Sequence, residues 1–343
     1  MKRLFLSLLA LPCLTLLGGG PADAAPLKVY ILSGQSNMQG HANVSTFDSM
    51  TRNPETAPLL EQMRDSDGNA TVCDKVWISY LSEDRGGNPS VKEGKLTAGF
   101  GAADDRIGPE FTFGITMEKH LGEPILLIKT AWGGKSLHTD FRPPSATDEE
   151  AGEYYRQMIE HVRTVLADPG KVVAGYNARD GYELAGFVWF QGWNDMVDGG
   201  AYPNRNQPGG YDRYSEYMAH FIRDVRRDLD APELPFVIGV LGVGGPTELY
   251  ESPRYKGVHQ NFRDAMAAPA SLPEFEGNVA AVLTEKYWDH ELAAARAKPQ
   301  EERTEQDQEI LKGVSNAEFH YLGAAKILGP IGQAFAEALI ELE

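Results

Sequence analysis

The chain has 343 residues, 42% of them hydrophobic, which suffices to bury a substantial core in one large domain. Its formal net charge of −17 repels an extended polyanion over most of the surface and excludes nucleic acid as an expected partner. Of the two cysteines, Cys13 falls in a leader segment, so Cys73 stands alone in the mature chain without a disulfide partner.

The leader comes first along the chain. Lys2 and Arg3 precede the apolar run Leu4 to Leu17, and Ala22-Asp23-Ala24 has the small-x-small pattern of a signal-peptidase site. A signal peptide over 1–24 is therefore predicted, with a mature start near Ala25 and a secreted or periplasmic location. The apolar run is shorter than the roughly 20 residues of a spanning helix, so no membrane association is expected after cleavage.

Beyond the leader, short apolar runs recur at Val29–Leu32, Ile125–Ile128, Phe187–Phe190, Phe236–Leu241 and Val279–Leu283. Each suits a strand buried on both faces, and the intervals are long enough for crossover helices. Between the third and fourth runs, Tyr214, Tyr217, Met218, Phe221, Ile222, Val225 and Leu229 repeat at helical spacing. A last apolar face, Leu328, Ile331, Phe335 and Leu339, predicts a terminal helix bent or restarted near Gly329-Pro330. The rhythm is that of an α/β fold, with one domain over 25–343. Two stretches break it, 41–107 and 195–210, both rich in turn-forming residues. They read as long loops at the carboxyl ends of strands, walling a crevice, although Val76–Tyr80 has the composition of an extra strand.

Candidate chemistry sits at those strand ends. Gly34-Gln35-Ser36-Asn37-Met38 follows the first run and presents Ser36 as a nucleophile. After the second, Gly133 and Gly134 permit close backbone approach to a developing alkoxide. After the third, Gly192-Trp193-Asn194-Asp195 offers the Asn194 amide as a further donor. Near the C-terminus, Asn316-Ala-Glu-Phe-His-Tyr-Leu322 supplies His320, the histidine best placed to act as base. His41, His138 and His259 lie in loops of the same region. Neither an HExxH motif nor a Cys/His cluster is present, so zinc chemistry has no support and no cofactor is called for.

These four ordered blocks resemble the SGNH (GDSL-like) hydrolases, and within them the sialate O-acetylesterase and acetylxylan esterase-like branch, whose serine block reads G-Q-S-N-M. The resemblance implies a flavodoxin-like three-layer α/β/α sandwich around a mainly parallel five-stranded sheet. It also implies an acyl-enzyme route with Ser36 as nucleophile, His320 as base, and an oxyanion hole from Ser36, Gly133 or Gly134, and Asn194. Two departures stand out. The branch carries Gln-Gly-Glu where this chain has Gln191-Gly192-Trp193, and the family's D-x-x-H places Ala317, not Asp, three residues before the histidine. Glu318 is the first choice for the orienting acid, with Asp195, Asp289 or a Ser–His dyad as alternatives.

Export, polar loops and the aromatics Trp132, Trp193, Phe141 and Tyr202 near the expected mouth suit an acetylated polysaccharide or glycan. Gln35, Asn37, Gln191, Trp193 and Trp132 are assigned as substrate contacts. Glu110, Lys135, Asp140 and Arg142 are either sugar contacts or solvated loop charges. The alternatives are a glycan-binding protein that has lost turnover, or an esterase or acyltransferase acting on a non-carbohydrate ester.

Overall fold

The computed structural model describes residues 25–84 and 86–343, and the predicted signal peptide lies outside the described residues. Nine strands follow in chain order: β1 Leu27–Gly34, β2 Ala42–Asn43, β3 Val76–Glu83, β4 Pro89–Lys95, β5 Arg106–Ile107, β6 Ile125–Ala131, β7 Tyr182–Phe190, β8 Phe236–Val240 and β9 Val279–Leu283. Seven of them form one sheet in the order β4-β3-β6-β1-β7-β8-β9, while β2 and β5 pair separately as a two-residue antiparallel ladder.

The five apolar runs read from the sequence become β6-β1-β7-β8-β9, all parallel, with the first strand of the chain lying between the second and third. That reversal of winding direction at β1 opens a crevice at its carboxyl end, the general ligand position of doubly wound sheets. The sheet is nonetheless wider than the five strands expected. β3 joins parallel to β6, and β4 closes the edge antiparallel to β3. β4 is almost wholly exposed and reads Pro-Ser-Val-Lys-Glu-Gly-Lys, so it lacks the apolar signal of a strand, and its charges suit an unpaired edge. The stretch 41–107, expected as a loop, thus contributes two strands to the main sheet and the Ala57–Met63 helix.

Side chains alternate across the sheet to bind helices on both faces. Phe187 and Trp189 pack against Phe221 of the Asp212–Asp228 helix, whereas Phe190 meets Phe335 of the Ala325–Leu342 helix. That terminal helix runs on through Pro330 and packs on the Pro109–Leu121 helix, where Thr112 Oγ1 donates to the Gly329 carbonyl at 2.7 Å. Gly332 permits the approach, since an added Cβ would lie 2.2 Å from the Pro109 carbonyl oxygen. The buried side chains form one contiguous cluster around the sheet. No helix among the described residues is long and apolar enough to cross a membrane.

Candidate active site

β1 ends at Gly34, which touches the neighbouring strand so closely that an added Cβ would stand 2.2 Å from the Phe190 carbonyl oxygen. The chain turns there, Gln35 N–H donates to that same oxygen at 3.3 Å, and Ser36 opens a single helical turn to Gln39. Gln35 is the hub of the turn. Its Oε1 accepts from Gln191 Nε2, Gly192 N and Asn194 N at 3.2, 3.0 and 3.3 Å, and its Nε2 faces Ser36 Oγ at 3.4 Å and Asn194 Oδ1 at 3.2 Å. One buried amide therefore ties the serine turn to the loop after β7.

The glycine loop after β6 leans over the same point. Asn194 Nδ2 donates to the Gly134 carbonyl at 2.9 Å, and Gly134 has the left-handed φ of 73° that favours glycine. An added Cβ at Gly133 would approach Gln39 Oε1 to 3.3 Å. Neither the Ser36 nor the Gly134 N–H donates to another backbone carbonyl, so both are free to serve a ligand. Ser36, Gly134 and Asn194, distant in sequence, thus share one corner of the crevice.

His320 arrives from the opposite end of the chain on a strained turn. Tyr321 and Leu322, with φ of 53° and 60°, both adopt the left-handed conformation, which costs non-glycine residues on the order of 1–3 kcal/mol each. Tertiary contacts over-determine it. Leu322 O accepts from Ser315 N and Asn316 N, and the buried Tyr321 hydroxyl accepts from Gly242 N at 2.8 Å while donating to Thr284 Oγ1 at 2.7 Å. The turn packs against the Ser36–Gln39 segment.

The imidazole is oriented by Asn316, whose Oδ1 lies 2.9 Å from His320 Nδ1. That oxygen also accepts from Ala317 N at 2.7 Å, which fixes the amide orientation. An acceptor there places the proton on Nδ1 and leaves a lone pair on Nε2. His41 stacks flat on the ring, with centroids 3.8 Å apart and planes 2° from parallel. Arg106 Nη1 donates to His41 Nδ1 at 2.9 Å. Burial, followed by the Arg106 charge, holds His320 down to about 4. Burial, then His320 and Arg106, hold His41 down to about 3. Both rings are neutral at pH 7. Ser36 Oγ and His320 make no hydrogen bond in this conformation.

Several sequence assignments land elsewhere. Glu318 is exposed, lines a hollow beside the site and makes no hydrogen bond to His320, because Asn316 already occupies Nδ1. The other two acids are engaged with other partners. Asp195 is fully buried and accepts from Leu137 N, His138 N, Gln191 Nε2 and Tyr202 Oη. Asp289 caps the His290–Ala297 helix and pairs with Lys326. Trp132 and Phe141 pack on one another inside the core, and Tyr202 is spent on Asp195, so none of the three can meet a sugar. Gln35 and Gln191 are internal scaffold, 1% exposed each.

Of the remaining assignments, Trp193 is half-buried at the rim. Asn37 is buried with both amide atoms unpartnered, directly beside Ser36. Glu110 and Lys129 form a buried ion pair at 2.7 Å, with Lys129 also donating to the Gln39 and Phe100 carbonyls beneath the serine turn. Lys135 lies over the Tyr154 ring, Asp140 accepts from Ser136, and Arg142 pairs with Glu149. His138 pairs with Asp198, whereas His259 lies beside Tyr250 and Trp193. Sequence reasoning placed His41 only among the loop histidines of the region, gave Asn316 of the histidine block no role, and missed Arg106. Among the described residues no cluster of three or more His, Cys, Asp or Glu side chains is arranged to hold a metal ion.

Known proteins are similar to this chain. The protein named "Probable carbohydrate esterase At4g34215" of Arabidopsis thaliana is 23% identical over 231 residues, covering 64% of this chain and 71% of the relative. The solved structure of that Arabidopsis protein is similar with a TM-score of 0.49 at 17% identity, over 92% of this chain and 98% of its own. The structure of NanS has a TM-score of 0.49 at 14% identity, with the same coverage of 92% and 98%. The family described as carbohydrate esterase, sialic acid-specific acetylesterase (SASA) matches residues 26–272, well over half of the chain, and the chain belongs to that family of carbohydrate acetylesterases.

Proposed function

We propose that this ester hydrolase removes O-acetyl groups from an acetylated polysaccharide or glycan through an acyl-enzyme on Ser36. The observation that carries the reading is the imidazole of His320, held by Asn316 in the tautomer whose Nε2 accepts a proton, on a turn packed against the serine. In the first step His320 Nε2 takes the Ser36 proton as Oγ attacks the acetyl carbonyl. The negative charge that develops on the carbonyl oxygen meets the Ser36 and Gly134 N–H groups and the second amide hydrogen of Asn194. His320 then returns its proton to the departing sugar hydroxyl. Water, deprotonated by the same Nε2, releases acetate and restores the serine.

Asn316 takes the place of the family's aspartate as orienting group. It supplies orientation without a full negative charge, which suits an imidazole whose neutral form is already favoured by burial and by Arg106. Lys2, Arg3, the apolar run to Leu17 and the Ala22-Asp23-Ala24 cleavage pattern support export of the mature chain over 25–343, where polysaccharide esters are met.

Hydrolysis of 4-nitrophenyl acetate by the mature protein and by Ser36→Ala tests the mechanism, and acetate release from a panel of acetylated glycans tests the substrate class. Turnover that depends on Ser36, together with acetate release from at least one glycan, is expected. Equal rates for the two proteins overturn the proposal.

A further inference from the structure

A hollow of about 500 Å³ opens between the loop that carries Asn194 and the loop that carries His320. Its walls are continuous with the base. The Phe319 ring lies 4.4 Å from His320 and 5.7 Å from Trp193, and Trp193 continues to His259 at 6.4 Å and on to Tyr250 at 5.1 Å from His259. Phe319 and Tyr255 are 40% and 64% exposed, an unusual amount of open aromatic surface, and both line the hollow. Volume and lining match a small-molecule site, and the apolar C–H face of a sugar ring stacks on such rings while its hydroxyls reach a polar rim.

The charge on that rim is of one sign. Glu251 and Glu318 line the hollow, and among the described residues no Lys or Arg does. Arg254 and Lys256 flank Tyr255 on its helix without lining the hollow, and the other nearby cations are engaged elsewhere. Arg263 lies behind Tyr250, donates to the Val243 and Gly245 carbonyls and pairs with Glu285, while Arg106 is spent on His41. His259, beside Tyr250, is kept neutral by burial and by Arg263. Two free carboxylates accept hydrogen bonds from sugar hydroxyls and repel a ligand carboxylate.

We infer that this hollow seats the sugar ring carrying the acetyl ester, and that Glu251 and Glu318 make it select an uncharged sugar over a sialate or uronate. The inference rests on the assignment of Ser36 and His320 above. It departs from the sialic acid named in the family's description, because recognition of that sugar's carboxylate calls for a cation or an array of donors among the residues that line the hollow, and the lining holds two carboxylates instead. At partly exposed separations of several ångströms, the repulsion amounts to about tenfold in kcat/KM and is screened by salt.

The test compares kcat/KM for an O-acetylated methyl glucoside and for O-acetylated sialic acid, each divided by the value for 4-nitrophenyl acetate. The uncharged ester is expected to lead by about tenfold. The gap should narrow in Glu251→Gln/Glu318→Gln and in 1 M salt, and Tyr255→Ala should lower the glucoside ratio by about tenfold. Equal or better turnover of the sialate ester, or a glucoside ratio unmoved by Tyr255→Ala, overturns the inference while leaving the esterase reading intact. Absence of Ser36-dependent turnover of 4-nitrophenyl acetate overturns both.

Discussion

The two sides of the crevice hold their reacting groups by opposite means. On the nucleophile side, Ser36 follows a strand buried from Val29 onward and is fixed by the hydrogen bonds of Gln35, in a turn where even a methyl group at Gly34 has no room. On the base side, His320 stands on a half-exposed segment in left-handed backbone, with one amide on Nδ1 and one stacked imidazole as its local supports. The nucleophile is therefore placed by short-range geometry and the base by long-range contacts. Ser36 and His320 thus stand on adjoining segments, each fixed by its own contacts, without a hydrogen bond between them in this conformation.

Substitutions break this comparison with graded severity. Ser36→Ala removes the bond-forming atom and should lower kcat by at least about 10³-fold, leaving only the weak rate that an oxyanion site sustains alone, read with 4-nitrophenyl acetate. Asn194→Ala keeps nucleophile and base but deletes one oxyanion donor, for an expected loss of about 10² to 10³ in kcat with KM little changed. A loss confined to KM would place Asn194 in ground-state binding instead. Asn316→Ala deletes one hydrogen bond to the imidazole and should cost about tenfold, whereas Asn316→Asp should retain activity and raise the pH at which His320 protonates. If Asn316→Ala has no effect, orientation of the base rests on the His41 stack alone.

The pH dependence sharpens the contrast further. With His320 held near 4, kcat/KM should stay flat from pH 7 to about 5 and fall only below that, whereas an unperturbed imidazole gives a fall near 6.5. Stability follows the same groups. His41, His259 and His320 are lowered in the folded state, so between about pH 6.5 and pH 4 the unfolded chain binds more protons and stability declines as pH falls. Thermal melts across that window should show the decline, and they should show it weakened in a protein whose His41 is replaced by phenylalanine.

How much of this was legible in the sequence follows the same division. The five parallel strands announced themselves as unbroken apolar runs, although β9, expected to be buried on both faces, is a half-exposed edge, and Ser36 and Asn194 lay in compact blocks whose residues contact one another. β4 was invisible because an exposed edge strand needs no apolar face. Glu318 was preferred over Asn316 because the acid was sought at a fixed spacing and as a carboxylate. The tight turn closed by His320 N–H on the Ala317 carbonyl brings the histidine back so that the residue four before it reaches Nδ1, and no local propensity of Tyr or Leu signals the left-handed pair Tyr321-Leu322 that follows. Trp132 and Phe141 were read as rim aromatics from their place after β6, but the glycine loop folds back and seals both inside. His41 and Arg106 came from the stretch read as loop, and only the tertiary fold brings them to His320.

The claim on which the rest depends is that Ser36 is the activated nucleophile and His320 the group that activates it. Reaction with a fluorophosphonate, followed by mass spectrometry of the digested protein, tests it most directly. The account predicts a single adduct on the peptide containing Ser36, formed at least about 10²-fold more slowly in His320→Ala. An adduct on another residue, or labelling of Ser36 at an unchanged rate without His320, would contradict it.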